Sequence, residues 1–401
     1  MRTIGIVAEY NPFHSGHRYH LQAIRHAFGP QCKVVCAMSG NWVQRGDAAL
    51  ADKWTRAALA LEQGADLVLE LPTLWAVSSA ETFAQGGVGL LAATGVVDTL
   101  SFGSEAGELA PLQQAADCLQ SPQWQALLRE GLDQGLAFPV ARQQAATTLL
   151  GDGAACLQYP NNNLGVEYLR AIQNLGVPLA PHTIARLGAG HDQKTEEAVP
   201  HVSASYLRER LLAENGEDLS PYLSLSQTTR LREDPASLSF CTQGVLARLR
   251  TMGEEDFAQL PDCGEGLSYR LYHAAQGAAS LPELYDAVKS KRYPHARIRR
   301  LVLWAFLGLR AKDRPPSLPY LRVLGFGPKG QQLLRQMKTE AALPVIVKPA
   351  HIRKLPENAQ RVFRLEAQCT ALYDLCRREF GRRPGKNEYT QSPVRTGEYK
   401  A

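Results

Sequence analysis

Four apolar runs alternate with amphipathic stretches through the first hundred or so residues, and this alternation constrains the fold more than any other feature of the chain. "TIGIVAEY", "KVVCAM", "ADLVLEL" and "VVDTLSFG" read as strands with few charges, suited to burial on both faces. Between them lie "HRYHLQAIRHAFG", "DKWTRAALALEQG" and "AETFAQGGVGLLAATG", which read as helices. In the first of these Leu21, Ile24 and Phe28 recur at helical spacing and Gly29 closes the helix. Asp52 is placed to cap the second and Gly64 to stop it, while Pro72 ends the third strand. Strand and helix alternating at this period fold as a parallel sheet with helices on both faces.

That expectation gives meaning to "NPFHSGH", residues 11–17, directly behind the first strand. Pro12 ends the strand, Gly16 allows a tight turn, His14 stands just before the helix and His17 falls in its first turn. Open α/β sheets bind ligands at the carboxyl ends of their strands. A helix start there offers free N–H groups and the positive end of a dipole, which favour phosphate. Two imidazoles add hydrogen-bond donors, and oriented donors of this kind are worth about 2.7–4 kcal/mol each. A metal site would need a third ligand, and no H-E-x-x-H or cysteine cluster accompanies the pair. Local capping is the plainer alternative. No G-x-x-x-x-G-K-[ST] loop occurs, which argues against P-loop chemistry.

The middle of the chain continues the pattern with "NLGVEYLRAIQNLG" as an amphipathic helix stopped by Gly176, "PHTIARLG" as a short strand and "SASYLRERLLAENG" as a helix started by serine. A polar, turn-rich stretch from about 214 to 235 marks a boundary, and the pattern beyond it is helical. The chain of 401 residues thus divides into an α/β domain over 1–215, a mainly helical region over 216–380 and a polar, loosely ordered tail over 381–401. The N-terminus has no secretory pattern, and no apolar run approaches the roughly 18–20 residues of a membrane span. Eight cysteines without a C-x-x-C pair read as reduced and structural. Together these point to the cytoplasm.

Charge is unevenly spread. Residues 286–401 hold 25 Lys plus Arg against 9 Asp plus Glu, whereas the remainder is acidic, with 19 against 30. So concentrated a basic region is the electrostatic footprint of a polyanion, with solvated helix faces as the plain alternative. Within it "KSKRYPHARIRR" reads as a basic helix carrying Lys289, Lys291, Arg292, Arg297, Arg299 and Arg300, with Tyr293 placed to stack on an unpaired base. "GFGPKG" matches G-x-G-x-x-G, but no acidic residue follows about twenty residues on and Pro328 removes an amide, so a second dinucleotide site is not indicated. The segment reads instead as the glycine hairpin of a helix–hairpin–helix element offering Lys329 to a nucleic-acid phosphate, or as a plain helix-linking turn.

"HSGH" resembles the H-x-G-H signature of the nucleotidyltransferase superfamily. With "GIVAEYNPFHSGHRYHL", "AMSGNWVQRGD", "DKWTRAALALEQGADLVLELP", "SFGSE", "PNNNLGVEYLRAI", "RLGAGH", "SKRYPHARIRRLVL" and "YLRVLGFGPKG" in order, the chain resembles the bacterial tRNA(Met) cytidine acetate ligases over nearly its whole length. The resemblance implies a Rossmann-like nucleotidyltransferase domain that activates acetate with ATP as acetyl-adenylate. It also implies acetyl transfer to the wobble cytidine of elongator tRNA(Met), giving 4-N-acetylcytidine and AMP. It puts ATP contacts on Val7, Ala8, Glu9, Tyr10, Asn11, Pro12, Phe13, His14, Ser15, Gly16, His17, Arg18, Tyr19 and His20, with His14 and His17 at the phosphates. It adds Gly103, Asn161 or Asn162, and Arg186. "VSASYLR" resembles the superfamily's I-S-S-T-x-I-R, differing at Ala204 and Tyr206, and implies that Ser203, Ser205 and Arg208 grip phosphates.

"QRGD" and "DKW" offer Arg45 and Lys53 to the same pocket, Lys53 as a phosphate contact, while Trp42 would either stack on a base or line the loop. Magnesium is expected to arrive with the triphosphate; no dedicated metal ligands, membrane or DNA partner are indicated. Two rivals remain at this point: an adenylyltransferase for a small phosphorylated substrate, which the basic C-terminal third disfavours, and a non-catalytic nucleotide-regulated RNA-binding protein.

Overall fold

The computed structural model describes residues 1–105, 107–186, 203–213, 216–264, 266–379 and 388–397. Residues 187–191 of "RLGAGH", residue 202 and the tail segments 380–387 and 398–401 lie outside them. In chain order the strands are β1 (Thr3–Ala8), β2 (Lys33–Ser39), a hairpin of β3 (Trp42–Val43) and β4 (Asp47–Ala48), β5 (Leu67–Leu71), β6 (Thr99–Ser104), β7 (Ala180–Ala185), β8 (Leu321–Phe326), β9 (Val345–Ile346) and β10 (Val394–Arg395). The main sheet runs β10-β8-β5-β2-β1-β6-β7, with β9 beside β8. β1, β2, β5, β6 and β7 are parallel, as the alternation requires.

Side-chain alternation sorts the core onto two faces. Ile4, Ile6, Val34, Cys36 and Val68 pack under helices α1 (Ser15–Phe28) and α2 (Lys53–Glu62), against Leu21, Ile24, Trp54 and Ala57. Val35, Ala37, Leu67 and Leu69 face the other way, toward Phe83, Val88 and Leu91 of the helix Ala80–Ala93. That helix lies close on β1: a Cβ at Gly87 would sit 2.6 Å from Val7. Gly29 and Gly176 close their helices with positive φ and Asp52 caps α2, as the sequence predicts.

The region beyond 215 does not keep to itself. The apolar cluster on the second face of the sheet continues through Val245, Leu271, Leu284 and Ile298 to Trp304 and Phe363. The indole of Trp304 donates to the carbonyl of Val77 at 2.6 Å. β8 extends the sheet by pairing antiparallel with β5. The glycine-hairpin reading of "VLGFGPKG" is therefore corrected: the segment is a strand running directly into the helix Pro328–Glu340. Gly330 seats that helix against the carbonyl of Asp66, and Lys329 donates to the carbonyl of Pro30 at 3.0 Å.

The polar tail is likewise not loose throughout. β10 pairs with β8, and Glu388 is 1% exposed. Its carboxylate meets Lys53 Nζ at 2.6 Å, and Glu70 meets the same nitrogen at 2.5 Å. Arg322 and Glu366 complete the cluster. Burial lowers the Lys53 pKa, but Glu388 and Glu70 outweigh it and keep the ammonium charged. Burial, then the Glu70 charge, pushes Glu366 up to about 8, toward its neutral form at neutral pH. All eight cysteines are free thiols. Among the described residues no helix is long and apolar enough to cross a membrane.

Candidate active site

β1 ends at Ala8, and the chain turns through Tyr10 (φ +47°) and a cis Asn11–Pro12 peptide into His14, the N-cap of α1. Nδ1 of His14 accepts the Gly16 amide at 3.0 Å, and Nδ1 of His17 accepts the His14 amide at 3.2 Å. The two rings stack with centroids 4.0 Å apart. With each Nδ1 serving as acceptor, a neutral ring carries its proton on Nε2. Burial, then the charges of His14, Arg186 and His20, holds His17 well below the usual histidine range. Capping is thus carried by the Nδ1 atoms, at a helix start that favours phosphate.

The loop is held from both sides. Asn11 accepts the Leu50 amide through Oδ1 at 2.8 Å, and its carbonyl accepts from the guanidinium of Arg208 at 2.8 Å. Arg208 also donates to Ser205 at 2.9 Å, while the hydroxyl of Ser203 caps its own helix by accepting from Tyr206 at 3.2 Å. The structure therefore brings Arg208 and Ser205 to the H-x-G-H loop and uses Ser203 locally. Arg56, 1% exposed, donates to the carbonyls of Glu9, Ser39, Gly40 and Ala51 and so ties the ends of β1 and β2 together.

On the opposite side, Arg186 follows β7 and its amide donates to the carbonyl of Ser104 at 2.9 Å. Its side chain crosses Gly103, where a Cβ would stand 3.1 Å from Arg186 Cγ. Beneath lie His20, Ser101 and His182 in a hydrogen-bonded chain of 2.9 and 3.1 Å. Burial, then His182 and Arg186, pushes His20 down to about 4. The helix Pro160–Leu175 begins next to β6, but its first amides are taken: Glu105 accepts from the Asn161 and Asn162 amides and from Asn161 Nδ2. Asn162 is 5% exposed and returns its Oδ1 to the Glu105 amide at 3.0 Å. Sequence reasoning gave Glu105 no role, although it is the acidic residue that closes "SFGSE" immediately after β6.

Four expectations do not match the structure. Lys53, 1% exposed, is enclosed by Glu70 and Glu388, so its ammonium is already paired within the protein. Trp42 neither stacks on a base nor lines the loop; it is core, its indole bonded to the Cys369 carbonyl at 3.0 Å. The stretch read as one basic helix is a turn, 289–294, after the helix Leu281–Val288, and only its second half, with Arg297, Arg299 and Arg300, lies in the helix His295–Leu307. Tyr293 is 4% exposed and lies under the guanidinium of Arg297, so stacking on a base is excluded. Arg297 donates to the Asp262 carbonyl at 3.0 Å, Arg299 lies over the Tyr285 ring and Arg300 is half-buried, whereas Lys289, Lys291 and Arg292 are exposed. Among the described residues no group of three or more His, Cys, Asp or Glu converges as a metal site.

A parallel sheet whose carboxyl edge presents two Nε2–H imidazoles, a helix start and two arginines defines a nucleotide-binding α/β protein. The model of the HIGH Nucleotidyl Transferase family matches residues 1–388. A tRNA(Met) cytidine acetate ligase from Acetivibrio thermocellus is 34% identical over 98% of this chain and 100% of its own. One from Caldanaerobacter subterraneus is 36% identical over 95% and 96%. The crystal structure of Thermotoga maritima TmcAL superimposes with a TM-score of 0.91 at 32% identity, over 99% of this chain and 100% of that one. The form of that protein bound with alpha-thio ATP superimposes at 0.90. The chain belongs to the HIGH nucleotidyl transferases and, within them, to the tRNA(Met) cytidine acetate ligase family.

Proposed function

We propose that this chain is an ATP-dependent ligase that joins acetate to ATP as acetyl-adenylate, releasing pyrophosphate. It then passes the acetyl group to the exocyclic amine of the wobble cytidine in elongator tRNA(Met), releasing AMP. The observation that carries the reading is the His14–His17 pair. Both Nε2 donors stand at the helix start where a triphosphate is bound best, and both are held by backbone amides before any ligand arrives. The alpha-thio ATP bound to the Thermotoga relative supports the same nucleotide here.

In this reading Val7 to His20, Gly103 and Arg186 form the ATP site. Arg186 stands on one side of the phosphates and Arg208, with Ser205, on the other. Asn161 is the asparagine that meets the nucleotide, because Asn162 Oδ1 is committed to Glu105 and Asn161 Oδ1 is not. The sheet carries the adenylate chemistry, and the exposed turn with Lys289, Lys291 and Arg292 carries RNA phosphates. Such an enzyme works in the cytoplasm with its tRNA.

The test is incorporation of labelled acetate into tRNA followed by nucleoside analysis. Labelled 4-N-acetylcytidine is expected only when ATP is present. Absence of label with tRNA(Met), or label without ATP, overturns the reading.

A further inference from the structure

One carboxylate within the Val7 to His20 stretch is only half engaged by the protein. Glu9 follows β1 directly, and its Oε1 accepts the Gln44 amide at 2.6 Å. Among the described residues no hydrogen bond reaches Oε2. Arg45 of the β3–β4 hairpin, Arg56 of α2 and Arg208 of the helix Ala204–Leu212 face it, as does Tyr168 of the helix Pro160–Leu175. Among the described residues none of the arginines closes to an ion pair with it. The carboxylate is thus steadied by one amide and keeps one oxygen open.

His17, His20 and Arg186 interact across the β6–β7 edge. Glu9 instead leans on the hairpin. The turn of that hairpin, at Gly46 (φ +76°), rests on the helix His295–Leu307: a Cβ there would meet the backbone of Arg299 and Arg300 at 2.6 Å. A short chain of contacts therefore runs from the helix His295–Leu307 through the hairpin to Glu9.

We infer that Glu9 receives the exocyclic amine of the acceptor cytosine and takes its proton during acetyl transfer. The inference rests on the ligase reading given above. The amine lone pair is delocalised into the ring, so it is a weak nucleophile that gains from a positioned base. The amine nitrogen bonds to the acetyl carbon, and the bond from that carbon to the phosphate oxygen breaks. The electron pair leaves on AMP, and the amine proton passes to Glu9 Oε2 and on to solvent. Burial raises the Glu9 carboxyl above its ordinary value, partly offset by the Gln44 amide and the three arginines, which makes it a better proton acceptor near neutral pH.

The test compares acetate-dependent ATP–pyrophosphate exchange with single-turnover acetyl transfer to tRNA, in the full chain and in E9Q. Glutamine can still accept from Gln44. Transfer is expected to fall on the order of 100-fold relative to exchange. The acid limb of the wild-type transfer pH profile should vanish in E9Q, and E9D should restore part of the transfer. An equal loss in both steps, an unchanged transfer rate or a persisting acid limb overturns the role of Glu9. Failure of the wild-type chain to acetylate tRNA overturns the ligase reading instead.

Discussion

His14 and His17 orient one another: the backbone amide of His14 donates to the ring of His17 at 3.2 Å, and the rings stack at 4.0 Å. In the proposed reading His14 is both helix cap and ligand donor, and the two tasks are separable by mutation. H14A should lose adenylate formation and also about 0.5–2 kcal/mol of stability with the cap. H14N should recover the stability, since asparagine caps well, and remain inactive in ATP–pyrophosphate exchange. Exchange by H14N at the wild-type rate would assign His14 to capping alone.

Lys53 and Glu388 make a different prediction from the phosphate role the sequence offered. Removing one partner of a buried pair leaves the other uncompensated, at a cost of about 3–5 kcal/mol. E388A and K53A should therefore both lower the denaturation midpoint by similar amounts. E388A lies outside the phosphate site, so a matching loss in the two variants marks a structural role. Loss of exchange in K53A with an unchanged midpoint would restore Lys53 to the nucleotide.

The exposed turn and the helix after it should respond oppositely to substitution. K289A/K291A/R292A removes solvent-facing charges and should weaken tRNA binding with little change in stability. The slope of log affinity against log salt should fall by about two to three. Substituting Arg297 or Arg300, which are engaged with the protein, should lower stability more than it weakens binding. Unchanged binding in the triple variant would move the RNA surface elsewhere.

Acid should destabilise the protein through His20. Its folded value lies near 4, against about 6.5 when unfolded. Between these values the unfolded chain binds a proton that the folded chain does not. Stability is therefore full above about pH 6.5 and falls as pH drops toward 4, by up to about 1.4 kcal/mol per pH unit for one such group. His17 adds in the same direction. Thermal melts across this window should show the slope, and H20Q should reduce it; an identical slope in H20Q would assign the titration to other groups.

Local chemistry was legible in the sequence wherever a residue's partner lay nearby. The β/α alternation, the Asp52 cap, the Gly176 stop and the helix start at "HSGH" all follow from neighbours within a few positions. What was not legible depends on distant pairing. β8 reads as a helix linker because its partner strand β5 lies some 250 residues earlier. Lys53 reads as a phosphate contact because lysine is almost never buried unpaired, and both its partners, Glu70 and Glu388, stand outside the motif. Tyr293 sits among charges in sequence but on the core side of its turn. In the site, Glu105 was visible within "SFGSE", but nothing local shows that it would clamp the helix start at Asn161.

The antiparallel seam between β5 and β8 also sets an order of assembly on the ribosome. A nascent chain can build β1, β2, α1 and α2 early, yet β5 presents an unpaired strand edge until residues 321–326 emerge. Lys53 is likewise unsatisfied on one side until residue 388 has left the tunnel. The catalytic half is among the first parts to be synthesised and one of the last to be closed, so a prematurely terminated chain would carry the histidines on a scaffold with an open, aggregation-prone flank.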